Sequence, residues 1–156
     1  MDFSRTFFIT TTTHKRYTYF ADLTKARRFF RVLYDYRANG KFLIHAFVLM
    51  PDHLHMILTP APQLSLERAI QLVKGGSSFR MRLSQKLWQP SFMNHRIKDE
   101  EDHRIHVGYI HQNPVKARLV DIPEKYPLCS AHPGWKLDSI PAGAKAPDVP
   151  YPLTRG

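Results

Sequence analysis

The sequence predicts an α+β fold, a split βαβ sandwich in which one antiparallel sheet of four to five strands carries helices packed on one side. Strand-like and helix-like segments follow one another in the order strand, helix, strand, strand, helix, strand, helix. The two middle strands are separated by only a Pro-Asp turn, and 156 residues, 43% of them hydrophobic, are enough for one core.

The first strand is read over 5–13, "RTFFITTTT", which is rich in aromatic and β-branched residues. A helix follows over 21–40, where Ala26, Phe29, Phe30, Leu33 and Tyr34 form an apolar stripe and Asn39-Gly40 stops it. Residues 41–50, "KFLIHAFVLM", are almost uniformly apolar, as expected of a central strand buried on both faces. Pro51 fixes φ at a negative value, so the turn at Pro51-Asp52 is expected to be type I or bulged instead of primed. The next strand, in "HLHMIL", sends His53, His55 and Ile57 to one face and Leu54, Met56 and Leu58 to the other. Residues 65–87 begin as a helix with Leu66, Ala69, Ile70 and Val73 in register, interrupted at Gly75-Gly76. A fourth strand is read within 88–97, and a last helix over 98–120 with its acidic residues at the start, where the macrodipole favours them. Prolines recur beyond residue 122, so 1–130 is read as the domain and 131–156 as a Pro-rich C-terminal arm or tail.

The charge is lopsided. Lys and Arg number 23 against 13 Asp and Glu, a net +10, which makes nucleic acid the first partner to consider. No apolar run approaches a membrane span and no signal-peptide pattern is present, so a soluble, cytoplasmic protein is expected. The single cysteine, Cys129, excludes a disulfide framework and a cysteine zinc site.

His-x-His alone carries little weight, since nine histidines in this length give about half an instance by chance. Its context is more informative. Two imidazoles on one face of a strand need partners for their nitrogens, either hydrogen bonds or a divalent cation. In "YIHQN", Tyr109 and Asn113 stand four apart and project from one helical face. Beside a cation Tyr109 could act as a phenolate nucleophile, or it could be an ordinary half-buried tyrosine. Asn113 could offer a carbonyl oxygen to a metal, or cap a helix starting at Pro114. His103 and His106, at helical i, i+3 spacing, and His111 on a different side are expected to be solvated or to face DNA and not to bind metal. Lys74, Arg80, Arg82, Lys86, Arg96 and Lys98, interleaved with Phe79, Trp88 and Phe92, suit a phosphate track with stacking platforms, with at least one aromatic in the core.

Taken in order, "MPDHLHMI", "LWQPSFMNHRI" and "YIHQNPVKARLV" resemble the single-tyrosine HUH transposases, and most of all the REP-associated tyrosine transposases. The resemblance covers roughly residues 5–130. It implies a ferredoxin-like fold that recognises hairpin DNA of the REP palindromic type and cleaves single-stranded DNA beside it. It implies that His53, His55 and Asn113 hold a divalent metal, Mg²⁺ or Mn²⁺, and that Tyr109 forms a 5′-phosphotyrosine intermediate. The expected DNA-binding residues are Lys74, Arg80, Arg82, Lys86, Trp88, Arg96 and Lys116, on a monomer or homodimer. Arg118 departs from the family, which often has glycine at the end of the tyrosine helix. The alternative is a transposase derivative that binds hairpin DNA or RNA, stabilised by metal, without cutting it.

Overall fold

The structure is a computed structural model, and it describes residues 1–143. Its elements run β1 (Phe7–Thr12), α1 (Leu23–Ala38), β2 (Phe42–Met50), β3 (His53–Pro60), α2 (Leu66–Gln71), α3 (Ser77–Arg80), β4 (Met93–Arg96) and α4 (Glu100–Lys116). The strands form one sheet in the order β2-β3-β1-β4, and every neighbouring pair is antiparallel. This is the expected split βαβ arrangement, with four strands. Among the described residues no helix is long and apolar enough to cross a membrane.

Local chemistry accounts for most of the boundaries. Asp22 caps α1 by accepting from the backbone N–H groups of Thr24 and Lys25 at 2.9 and 3.2 Å, a contact worth about 1 kcal/mol. The β2–β3 hairpin pairs Met50 with His53, leaving Pro51 and Asp52 as its turn, and neither has a positive φ, as the proline requires. Gly75 and Gly76 do not end their helix. Leu72–Gly76 forms a π-helical segment that joins α2 to α3.

Alternation along β3 and its neighbours splits the core in two. Ile9, Phe47, Leu49, Leu54, Met56 and Leu58 face α1 and α2. Ala46, Val48, Met50 and Ile57 face Ile110 of α4 on the other side. Helices therefore cover both faces, not one: α1 and α2 belong to the βαβ units, and α4 follows the last strand and crosses to the opposite face. The strongly apolar β2 supplies residues to both layers.

That strand is also at the sheet edge and not at its centre. Its burial comes from residues 126–138, which run along the open edge. Leu49 N–H donates to Leu128 O at 2.9 Å, Ser130 N–H to Phe47 O at 2.9 Å, and Asp138 N–H to Ile44 O at 2.7 Å. Trp135 packs on Phe30 and Phe47, and Asp138 pairs with Arg37 at 2.7 Å. The arm expected from residue 131 is thus, as far as Gly143, part of the packed body. Its remainder, including Pro147, Pro150 and Pro152, lies outside the described residues.

Candidate active site

The face of the sheet beneath α4 is built from cross-strand rows. Val48, His55, Thr10 and Met93 form one row, and Ala46, Ile57, Phe8 and His95 the next. His53 pairs with Thr12 and Met50 at the hairpin end. The two histidine rings lie 4.8 Å apart, centroid to centroid, and meet edge to face.

Each ring has its Nδ1 engaged. His55 Nδ1 is 2.8 Å from Thr10 Oγ1, and His53 Nδ1 is 2.7 Å from Asp52 Oδ1. Burial would raise the Asp52 carboxyl, but its hydrogen bonds and proximity to His53 and Arg16 outweigh that and hold it below the usual carboxylate range. His55 is 5% exposed, and burial, with the charge of His53 beside it, pushes its pKa down to about 4. The His55 imidazole is therefore neutral near pH 7, the form that ligates a metal. With Nδ1 of both rings fixed by an oxygen partner, Nε2 remains as the ligand atom, the usual outer-shell arrangement around metal-bound histidine. The donor set fits a divalent ion.

Tyr109 comes to this pair from α4. Its ring meets His55 edge-on at 5.3 Å and Phe8 at 6.0 Å, while the residue stays 47% exposed. The helix that carries it is capped by Asp99, whose side chain accepts from Asp102 N–H, and holds Glu100, Glu101 and Asp102 in its first turn. Asn113 is inside α4 and Pro114 is buried within the same helix, so Asn113 is not a helix cap. It stands one turn beyond Tyr109 on the same face.

The helix ends where glycine is usual. Arg118 N–H donates to Val115 O at 3.0 Å and Leu119 N–H to Pro114 O at 2.9 Å, a Schellman closure that puts Arg118 at φ 61°. The arginine accepts the left-handed conformation, and α4 ends at Lys116 as the pattern requires.

The expected DNA-facing set divides. Arg82, Lys86, Arg96 and Lys116 are exposed. Arg80 is exposed too but pairs with Asp35 at 2.6 Å. Trp88 is not a stacking platform: it is 4% exposed, lies between Phe20 and Phe29, and directs its indole N–H to Ser77 Oγ at 3.4 Å. Lys74 is not on the track either. Its ammonium is buried and donates to Gln89 O and Ser91 O at 2.6 and 2.8 Å, fastening the segment before β4.

The aromatic that does face solvent is Phe79, 84% exposed beside Arg80 and Arg82. Composition could not separate it from Trp88, because both sit among the same basic residues. His103 and His106, expected to be solvated or to face DNA, are partly buried, and His106 stacks on His95 at 4.7 Å.

Residues 3–113 match the family model described as IS200-like transposases. The chain is 32% identical over 97 residues to the REP-associated tyrosine transposase of Escherichia coli, covering 62% of this chain and 58% of that protein. It is 31% identical over 68 residues to the ISDra2 transposase TnpA of Deinococcus radiodurans, covering 40% and 49% respectively. It thus spans less than two thirds of these relatives' length. The solved structure of a REP-associated tyrosine transposase bound to a REP hairpin superposes with a TM-score of 0.71 over 92% of this chain and 93% of that one, at 24% identity. That likeness shows the fold. The family match takes in all four strands, the histidine pair and the helix as far as Asn113, so this chain belongs to the IS200-like transposase family.

Proposed function

We propose that the chain is a metal-dependent DNA strand transferase that recognises hairpin DNA of the REP palindromic type and cuts single-stranded DNA beside it. The observation that carries this reading is the meeting of the exposed Tyr109 ring with the buried, neutral His55 on one face of a rigid sheet. The net charge of +10 and the exposed Arg82, Lys86, Arg96 and Lys116 supply attraction for phosphates. The hairpin in the solved relative supports the substrate class.

His53 and His55, with Asn113 one turn from the nucleophile, are the residues to hold Mg²⁺ or Mn²⁺, imidazole favouring the latter. When bound, the ion neutralises non-bridging phosphate oxygens and stabilises the leaving 3′-oxygen. Tyr109 performs the substitution. Its oxygen attacks phosphorus, the bond to the 3′-oxygen breaks, and the phenol's proton is balanced by the one the 3′-hydroxyl gains. The 5′-phosphotyrosine keeps the ester energy, so a 3′-hydroxyl can reverse the step without ATP. Thr10 and Asp52 hold the imidazoles in orientation throughout.

The test is Tyr109→Phe, assayed with end-labelled hairpin DNA and Mn²⁺, with an EDTA arm for the natural protein. The variant should retain hairpin affinity and thermal stability within about 0.5 kcal/mol, because Tyr109 is a half-exposed helix residue. Cleavage and the denaturant-resistant protein–DNA band should vanish. A covalent band from Tyr109→Phe would overturn the mechanism. Hairpin binding without any cleavage by the natural protein would favour the non-cutting alternative.

A further inference from the structure

A second cluster of ligand-type side chains lies one row away from the histidine pair. Its members are His95 on β4 and Asp102 and His106 on α4, and one ligand atom from each lies within 4.8 Å of the others. We infer that these three residues form a divalent-metal site of the zinc class, separate from His53 and His55.

His95 is the cross-strand partner of Phe8, so the sheet points it to the face that α4 covers. Asp102 and His106 are one helical turn apart, a spacing that presents both side chains to the same point. His95 Nε2 is 2.7 Å from Asp102 Oδ2, and His106 Nδ1 is 3.1 Å from Asp102 Oδ1. The two imidazoles stack 18° from parallel with centroids 4.7 Å apart. Lys98 N–H donates to Asp102 Oδ2 at 2.9 Å and orients the carboxylate, as an outer-shell group does. Side-chain exposures of 41%, 12% and 22% for His95, Asp102 and His106 leave an ion a way in while shielding the carboxylate.

Two imidazole nitrogens and one carboxylate oxygen suit Zn²⁺ better than Mg²⁺, and three protein ligands leave a fourth position open. A ligating imidazole nitrogen has to be free of its proton, so affinity should weaken as pH falls. The competing contact is His106 Nδ1 to Asp102 O, 2.9 Å, which an ion must outbid. The Phe8 ring separates the two sites, 5.5 Å from His55 and 4.8 Å from His106. Metal here would rivet β4 to the first turns of α4, three residues before Tyr109.

The experiment uses the full chain, stripped of metal, carrying His53→Ala and His55→Ala to remove the first pair. Titration with Zn²⁺ against a chromogenic chelator should still reveal one bound equivalent, and Co²⁺ should give the intense visible absorption of a tetrahedral site. Adding His95→Gln and His106→Gln should lower Zn²⁺ affinity at least about 100-fold. Circular dichroism checks folding. Histidine NMR of the His53/His55 variant gives a second readout, with His95 and His106 shifting together at one equivalent of Zn²⁺ and no other histidine following them. Absence of Zn²⁺ binding in the His53/His55 variant would overturn the site, as would binding that survives loss of His95 and His106. DNA cleavage is not read in any arm, so the outcome is independent of the proposed transferase activity.

Discussion

Lys74→Met separates a strut from a DNA contact. The Lys74 ammonium, held in the π-helical segment, donates to Gln89 O at 2.6 Å and Ser91 O at 2.8 Å, with the Phe92 ring 6.0 Å from it. Burial, and then the charge of Lys86, lowers its pKa. Methionine preserves the length and apolar packing of the stem and removes only the charged donor. Each charge-assisted hydrogen bond is worth about 1.5–3 kcal/mol, and release of a buried ammonium offsets part of the two. A net loss of about 2–3 kcal/mol is expected, which for a domain of this size lowers Tm by roughly 5–10 °C. Thermal unfolding measures that term. Hairpin affinity against salt concentration measures the other: Arg82→Gln should reduce the log–log slope by about 0.7 if it removes one single-strand phosphate contact, while Lys74→Met leaves the slope unchanged. A slope reduced by Lys74→Met at unaltered Tm would refute the strut.

Arg118→Gly should stabilise the chain by about 1 kcal/mol, or 2–4 °C in Tm, because glycine adopts the positive φ of the helix end without strain; a lower Tm would show that the arginine side chain contributes more than its backbone costs. Phe79→Ala should weaken binding of unpaired DNA by about 1–3 kcal/mol per lost stacked base with stability intact; unchanged affinity in a fluorescence titration would remove it from the interface. Metal-free protein should lose stability in acid. The unfolded chain protonates His55 at its ordinary 6.5 and the folded chain only at about 4, so stability is complete above pH 6.5 and falls until about pH 4, by up to about 3 kcal/mol. His55→Gln should flatten this part of the profile, and a curve identical to that of the natural protein would assign the loss to other groups.

The order of elements and the facing of the histidines were legible because period-2 and period-3.6 patterns are local properties of the chain. Parity along β3 was enough to put His53 and His55 together, and the four-residue spacing enough to align Tyr109 with Asn113. Whether a lysine or tryptophan reaches solvent is decided by distant partners. Trp88 is enclosed by Phe20 and Phe29, and Lys74 is claimed by carbonyls 15 and 17 residues away. Basic residues around both looked alike in sequence. Asn113-Pro114 misleads because Asn-Pro is a start signal, whereas here Pro114 lies buried in the last turn of α4 and the helix continues to Lys116.

The uniform apolarity of β2 has the widest consequence. A strand buried on both faces demands two covering layers, and only α1 and α2 are available on the βαβ side. The other layer has to come from the chain after β4, which is α4. Placing α4 there brings Tyr109 over the face that holds His53 and His55, the same face that one-sided packing would have left open to water. The edge position of β2 requires a third cover, because unpaired backbone groups on an apolar edge invite association with another chain. Residues 126–138 provide it, with the Tyr126 hydroxyl donating to Leu49 O at 2.8 Å and Ser130 Oγ accepting from Phe47 N–H at 3.0 Å. His111 of α4 reaches the same Ser130 Oγ at 3.0 Å, so the edge strap and the tyrosine helix share a hydrogen-bonded residue. Truncation at residue 130 would keep Tyr126 and Ser130 but remove Trp135 from Phe30 and Phe47 and Asp138 from Arg37 and Ile44, loosening α1 and the open edge of β2.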